Sequence, residues 1–488
     1  MPVRLWRWLP AGVVAVLLAT PSSAVAHGIT GVSRDRPIPD WLFGWGAAVV
    51  LVVSFVGLAL AWRTPRLQAD RWRPLRAAGR SAPAAARWLA VARVLGGAFG
   101  VAVLGLVLWA GFSGTPDPSR NVAPTIVFVT VWVGLPIASA LLGDIARPLN
   151  PWAAIGRLAG VLVRRARGGR ALGHLPYPDR LGAWPAVAGV LAFVALELLY
   201  EVPGGPRLES DTVATAAAIY TGWTLAAMAL FGVDRWLDRG ETFAVLFGLF
   251  ARLSPLERRD GRLGLRGPLR GVAGWPDGPP AGAVALVLTL IGTTAYDGAQ
   301  EGVLRRPGTE LLGWFIDRGV GITTALRLSS ALLLAGCILL VAAVYWLAMV
   351  GARRAAGREH RVGALGATFA HSFVPIALAY LVAHYVGLLL FQGQAQLALL
   401  SDPRGDGSDW LGTASWGIDY GLIDAEGVWY LQVGALVVGH VVALVLAHDR
   451  ALALLGDHRA AARSQRWMLA LMVAFTVGGL YLISQANG

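Results

Sequence analysis

The sequence has little charge, one cysteine and no lysine. Only 15% of its 488 residues are charged and 56% are hydrophobic, and many separate apolar runs are about 20 residues long, the length that crosses a bilayer. This composition excludes an ordinary soluble domain. Cys337, the single cysteine, lies inside an apolar run, which excludes an internal disulfide framework and any paired-cysteine metal or redox motif. We therefore predict an all-α fold, a polytopic helical membrane bundle.

Familiar enzyme motifs are also missing. The chain contains no GxSxG, HExxH or P-loop pattern, so no serine-hydrolase, zinc-protease or nucleotide signature assigns an activity. The basic residues behind the net charge of +13 are all arginine, and they cluster in the segments between apolar runs. That placement indicates membrane topology, so we expect the lipid bilayer as a partner and no nucleic acid.

The N-terminus has the pattern of a secretory signal peptide. Arg4 and Arg7 precede a short apolar run, and small residues follow it up to Ala26. We predict three regions: a signal peptide over 1–26, an extracytoplasmic segment over 27–40 and a transmembrane helical domain over 41–488. The mature chain would begin at His27, whose α-amine and imidazole form a chelating pair suited to copper(II). The alternative is that His27 is only the first residue of an exposed segment.

Ten apolar runs follow the lead-in and are predicted to be transmembrane helices. They cover residues 41–62, 88–111, 122–142, 184–201, 212–232, 281–297, 327–350, 366–392, 429–448 and 467–485. An outside start gives a multi-pass protein of the cell membrane with both termini extracytoplasmic. Cytoplasmic loops should carry the arginine excess, and most of the 42 basic residues fall in the five loops that this topology places inside.

Acidic and histidine side chains recur in the predicted outer half of four of these helices. Glu197, Asp297, His384 and His440 each fall within an apolar run, where an ionisable group is costly and therefore indicates function. We predict that Glu197 and Asp297 are catalytic, and that His384, His440 and His27 bind a divalent metal, copper or zinc. His384 and His440 should face one another, because spans eight and nine are sequential antiparallel helices. The alternative is that these groups cap helices or bond to neighbouring backbone.

Four histidines on spans eight and nine raise the question of haem. Bis-histidine ligation of stacked haems needs ligands on one face of each helix. The step from His371 to His384 turns about 220° round the helix, and the step from His440 to His448 about 80°. The spacing therefore disfavours haem.

Other segments have predicted roles near the membrane surfaces. Arginine-bearing amphipathic stretches begin at Asn150 and Glu241 and are expected to lie as helices at the inner interface. Glu201 and Glu301 lie at the predicted outer water boundary, where capping is the expected role. The long acidic and aromatic loop 393–428 is a candidate lid.

Several stretches resemble a group of actinobacterial multi-span membrane proteins described as fenitrothion hydrolase-like. They are AHGITGVSRDRPIPDWLFGW, NVAPTIVFVTVWVGLPIASALLGDIARPLNPW, ETFAVLFGLFARLSP, TTAYDG and HSFVPIALAYLVAHYVGLLLFQGQ. The resemblance covers most of the chain and implies hydrolysis of an organophosphate triester, with no catalytic motif to carry over residue by residue. The AHG start also resembles mature N-termini of copper-binding proteins, including a subunit of membrane methane and ammonia monooxygenases.

Two classes of function stay open. In the first, the outer groups bind a metal that activates water for phosphotriester hydrolysis or that oxidises a substrate entering from the membrane. In the second, the same groups form a proton- or metal-coupled pathway in a transporter. Tight stoichiometric metal in the purified protein would favour the first class, and metal-free protein with pH-dependent uptake the second.

Overall fold

The computed structural model describes residues 40–75, 82–169, 174–200, 208–259, 262–275, 278–300, 302–356 and 360–486. Helices dominate this part of the chain. The longer ones are labelled in chain order: α1 Asp40–Ala61, α2 Ala82–Ser113, α3 Val122–Leu142, α4 Pro151–Ala166, α5 Trp184–Leu198, α6 Ser210–Phe231, α7 Thr242–Ala251, α8 Ala283–Gln300, α9 Arg305–Ile316, α10 Ile322–Ala355, α11 Val362–Ser401, α12 Ala425–Leu455 and α13 His458–Ala486. Short helices cover Ala146–Leu149, Val233–Arg239 and Arg270–Ala273.

Each of the ten predicted spans coincides with a helix, but two of these helices fall short of the length and apolarity that a full crossing needs. Among the described residues, 8 helices are long and apolar enough to cross a membrane. The other two are α5, which has 15 residues, and α8, whose last turns carry Tyr296, Asp297 and Gln300. A 15-residue helix extends about 22 Å, less than a hydrocarbon core about 30 Å thick. Both exceptions carry a predicted catalytic acid, Glu197 in α5 and Asp297 in α8.

Helix α11 lies at the centre of the bundle. It packs against α12, α8 and the middle of α3, and α8 packs in turn against α5 and α10. Lipid is as apolar as the buried side chains, so close packing rather than the hydrophobic effect holds these helices together. Gly439 shows how close the approach is, since a Cβ there would lie 2.4 Å from the Cβ of Ala379.

Two central helices contain turns that are not α-helical. In α3 the segment Thr125–Gly134 is a π-helix, and in α11 the segment Ala370–Phe373 is a 3-10 turn just before Pro375. Pro375 has no N–H to donate to the preceding turn, which accounts for the second interruption. π-helical turns are uncommon and occur often at functional sites. The π-helix therefore indicates a functional site where it contacts α11.

Loops that the predicted topology places on the same side of the membrane contact one another. At one end, segments predicted to be inside form a three-stranded antiparallel sheet of β1 Trp72–Pro74, β2 Leu256–Arg259 and β3 Arg262–Arg266, in the order β1-β3-β2. At the other end, Thr115 N donates to Arg404 O at 2.8 Å and Ser210 N donates to Pro116 O at 3.1 Å. We call these the predicted inner end and the predicted outer end. Their absolute orientation stays a prediction.

Segments between the spans differ in part from expectation. Asn150 caps the N-terminus of α4, and its side chain accepts a hydrogen bond from Ala153 N. Helix α7 is buried in the main core with Leu246 and Phe250 fully enclosed, so its predicted interfacial placement is wrong. The cause is that TFAVLFGLFA is apolar on every face and its arginine follows the helix end. Helix α9 lies in a predicted outer loop, and none of its side chains is buried.

Candidate functional site

Asp297 is the centre of a hydrogen-bonded group near the predicted outer ends of α5 and α8 and the middle of α11. Its Oδ2 accepts a hydrogen bond from the Tyr385 hydroxyl at 2.7 Å and lies 2.7 Å from His384 Nε2. Gln300, one turn further along α8, donates to Oδ1 at 2.8 Å. Only 9% of the Asp297 side chain and 23% of the His384 side chain are exposed. The carboxylate therefore has three polar partners and very little access to solvent.

Glu197 brings a second carboxylate to the same place. It interacts electrostatically with Asp297 and Tyr385, and its Oε2 is buried without a hydrogen-bond partner among the described residues. Both acids occupy the final turn of their helices, where the helix dipole disfavours negative charge. Two carboxylates in one desolvated place cannot both carry charge cheaply, so the pair is suited to hold one proton. We name Glu197, Asp297, His384 and Tyr385 the Asp297 site.

The π-helical part of α3 supplies one wall of this site. It carries Trp132, which lies beside Tyr385. The indole nitrogen of Trp132 is buried on the side of Tyr385, so the wall presents a polar N–H to the site. A π-helix changes which residues face a neighbour relative to an α-helix of the same length, and here it faces a tryptophan towards Tyr385.

His384 is held by only one of its two ring nitrogens. Nε2 contacts Asp297, whereas no hydrogen bond joins Nδ1 to any described residue. A Cβ added at Gly298 would lie 3.8 Å from Nδ1, so the glycine leaves this nitrogen only loosely covered. The ring also packs edge-on against Tyr385 with centroids 4.6 Å apart. An imidazole oriented by a carboxylate and open at its other nitrogen is an arrangement that can accept and release a proton.

His440 does not join this group. Its Nδ1 contacts the carbonyl of Leu436 at 2.7 Å, and its Nε2 is buried without a partner in the described part of the chain. Its ring instead lies 6.1 Å from that of Tyr380, one turn before His384 on α11. No hydrogen bond joins His440 to His384 among the described residues, and the facing of the two rings stays a prediction.

The predicted metal centre lacks a convergent ligand set in the residues that the structure describes. No group of three or more His, Cys, Asp and Glu side chains there has an arrangement that could hold a metal ion. Three of the five predicted site residues, Glu197, Asp297 and His384, are brought together, while His440 makes no hydrogen bond with them. His27 lies outside the described residues, as do Glu201 and Glu301. The catalytic and metal roles of all of them stay predictions.

A second buried polar group lies at the predicted inner end, where α12 meets the segment after α1. Asp449 accepts hydrogen bonds from the Trp62 indole at 3.0 Å, the Leu67 amide at 3.2 Å and the Gln68 side chain at 2.9 Å. Arg450 donates to Gln68 Oε1 at 3.0 Å and to the carbonyl of Trp275 at 3.1 Å. We call Asp449 and Arg450 the Asp449 cluster.

Two buried histidines lie beside this cluster. His448 Nε2 contacts the carbonyl of Trp62 at 2.9 Å. His371 Nδ1 contacts the carbonyl of Thr368 at 2.9 Å, and its ring interacts electrostatically with Arg450 and Asp449. The second ring nitrogen of each has no hydrogen-bond partner among the described residues.

Three residues of the outer group were not predicted from the sequence. Tyr385 directly follows His384, and a tyrosine within an apolar run gives no signal of its own because it is common in cores. Gln300 follows Asp297 at the i, i+3 spacing that joins side chains on a helix, which is a signal that could have been used. No signal in the sequence indicates Trp132, because the direction of its side chain depends on a π-helix.

No known protein family, curated protein or solved structure matches this chain.

Proposed function

We propose that the protein is a proton-coupled membrane transporter in which the Asp297 site binds and releases the coupling proton. The observation that carries this proposal is the shared environment of two carboxylates. Asp297 is hydrogen-bonded to Tyr385 and paired with His384, while Glu197 beside it keeps a buried oxygen without a partner. Ionisable groups inside a bundle that pair with one another are the usual components of proton relays in membrane proteins.

The distribution of histidines along α11 and α12 supports transport more than a reaction confined to the outer face. His384 and His371 are 13 positions apart in the sequence, which corresponds to about 20 Å along a helix. His440 lies between these levels and has a buried nitrogen free of described hydrogen bonds, as does His371. Hydrolysis at the outer surface needs no titratable groups at these further depths.

The interrupted helices support the same proposal. The π-helix in α3 and the 3-10 turn in α11 both lie in helices that contact the centre of the bundle. Discontinuous helices whose backbone lines an internal path are characteristic of secondary transporters. If the chain crosses the membrane ten times, as the sequence predicts, α5 and α8 are the two short spans in addition to the 8 long helices, and they meet at the Asp297 site.

The proposal is tested in vesicles that contain the reconstituted protein and an internal pH indicator. Solutes of different chemical class are added under an imposed membrane potential, and solute-dependent proton entry is recorded. We expect entry for at least one class, and its loss in Asp297→Asn. The matched control is Glu310→Gln, on an exposed ion pair with Arg306 in α9. Unchanged proton entry in Asp297→Asn would contradict the proposal.

A second candidate is hydrolysis of a phosphotriester, as the resemblance to fenitrothion hydrolase-like proteins implies. The pairing of His384 with Asp297 favours it, because a carboxylate-oriented imidazole can deprotonate a water molecule. Release of nitrophenol from a nitrophenyl phosphotriester by the purified protein, lost in His384→Gln, would support this candidate.

The copper or zinc of the sequence prediction belongs to the second candidate, because a metal ion supplies a water of lowered pKa. Stoichiometric metal that is reduced in both His384→Ala and His440→Ala would support that prediction. A metal content that neither substitution changes would remove both histidines from the proposed ligand set.

A further inference from the structure

The predicted inner end contains a cavity of about 1240 Å³ that is separate from the Asp297 site. Helix α7, the segment after α3 and the three-stranded sheet form its walls. Arginines outnumber carboxylates along this wall. Nine arginines and five carboxylates of the described residues line it.

Most of these carboxylates are already engaged. Asp238 pairs with Arg147 at 2.7 Å and Asp234 with Arg157 at 3.0 Å. Asp70 pairs with Arg259. The remaining two, Glu257 and Asp144, contact Arg259 at 2.8 Å and the amide of Arg147 at 3.2 Å respectively. The cavity thus has little negative charge left to offer to further arginines.

Three arginines of the wall remain without such a partner. Arg93, Arg252 and Arg258 make no hydrogen bond or ion pair with the described residues, although Glu257 acts electrostatically on Arg252 and Asp144 on Arg258. Arg252 is half-buried, and its guanidinium lies 5.7 Å from the ring centre of Trp275. Burial lowers the pKa of Arg252, and Glu257 only partly offsets this effect. A half-buried cation without a paired anion is energetically costly, so the cavity is suited to receive an anion.

The neighbourhood of Arg252 is rigid. Arg266 donates to the carbonyls of Ser254 at 2.8 Å and Ala251 at 2.6 Å, which fixes the chain on both sides of Arg252. A Cβ at Gly271 would lie 2.1 Å from Arg266 Cζ and 2.4 Å from the carbonyl oxygen of Arg252. The packing around these two arginines therefore requires glycine at position 271, and it restricts the movement of the Arg252 backbone.

We infer that the inner cavity binds a phosphate-bearing anion through Arg252 and Arg258. Guanidinium groups match phosphate oxygens with two parallel hydrogen bonds, and Arg258 on β2 lines the same cavity as Arg252. The same chemistry is offered by the headgroup of an anionic phospholipid in the adjacent leaflet and by a soluble phosphate compound. This inference is independent of the Asp297 site and holds whichever function that site serves.

The experiment uses the full-length protein in nanodiscs. In one arm, pyrophosphate is titrated into protein in phosphatidylcholine nanodiscs by calorimetry. In the other, retention of phosphatidylglycerol against phosphatidylcholine is measured by native mass spectrometry. We expect binding in at least one arm, weakened by about tenfold or more in Arg252→Gln/Arg258→Gln, since each charge-assisted hydrogen bond lost is worth about one power of ten. Binding in the lipid arm alone identifies a headgroup, and binding of pyrophosphate identifies a soluble ligand.

Two variants keep the test decisive. Arg258→Gln alone alters an exposed side chain and is expected to weaken binding even if the double variant fails to fold. Arg306→Gln makes the same chemical change on an exposed ion pair of α9 and should leave binding unchanged. Absence of binding in both arms, or equal affinity in wild type and Arg258→Gln, would overturn the inference.

Discussion

The Asp297 site and the Asp449 cluster both bury charged side chains in the bundle, but the hydrogen-bond partners of these side chains differ in kind. Asp449 is bound by the amide, indole and side-chain donors of one short segment, from Trp62 to Gln68. Asp297 is bound by Gln300 and by two side chains that can themselves titrate, His384 and Tyr385, and a second carboxylate with an unpaired oxygen lies beside it. A buried charge held by fixed donors anchors structure, whereas one held by titratable donors can exchange protons.

The largest expected effect separates the anchor from the proton site. Asp449→Ala removes the acceptor of at least four hydrogen bonds and should reduce the free energy of unfolding by about 3 kcal/mol or more, because several buried donors lose their partner. Thermal unfolding in detergent measures it. Glu310→Ala breaks an exposed ion pair and should change stability by less than about 1 kcal/mol. Equal effects of the two substitutions would contradict the anchoring role.

The next effect concerns titration rather than stability. Trp132 lies beside Tyr385, so its fluorescence should change with pH as the Asp297 site gains or loses a proton. We expect this response to disappear in Asp297→Asn and in Trp132→Phe, with the fold retained. It should persist in His448→Gln, which alters a histidine at the other end of the bundle. A response that survives in Asp297→Asn would assign it to other groups.

The smallest expected effect compares two tyrosines of α11. Tyr385→Phe removes a hydrogen bond to Asp297, and Tyr380→Phe removes one to the carbonyl of Phe475. Each should reduce stability by about 1 kcal/mol, the usual net value of one hydrogen bond. Only Tyr385→Phe should change the pH response of Trp132. A similar change in both variants would mean that the response reports general loosening of α11.

The sequence predicted the helices well because long apolar runs leave few alternatives in a membrane. It also predicted that Glu197, Asp297 and His384 lie at one level, since their positions follow from topology and the helical rise alone. It did not predict that His440 would lie beside Tyr380 without a hydrogen bond to Asp297, because the rotation of α12 about its axis depends on packing at Gly439. The burial of α7 was missed for a related reason: an apolar helix of 10 residues has no pattern that separates interface from core.

Retention of a proton between Glu197 and Asp297 is the central claim, and infrared spectroscopy tests it most directly. The carboxylic-acid C=O band of the protein in nanodiscs is recorded as a function of pH in wild type, Glu197→Gln and Asp297→Asn. The account predicts a band from a protonated carboxyl that titrates in the wild type, disappears in Glu197→Gln or Asp297→Asn, and persists in Glu310→Gln. A spectrum without a titrating carboxyl band, or one that neither substitution at the site alters, would contradict it.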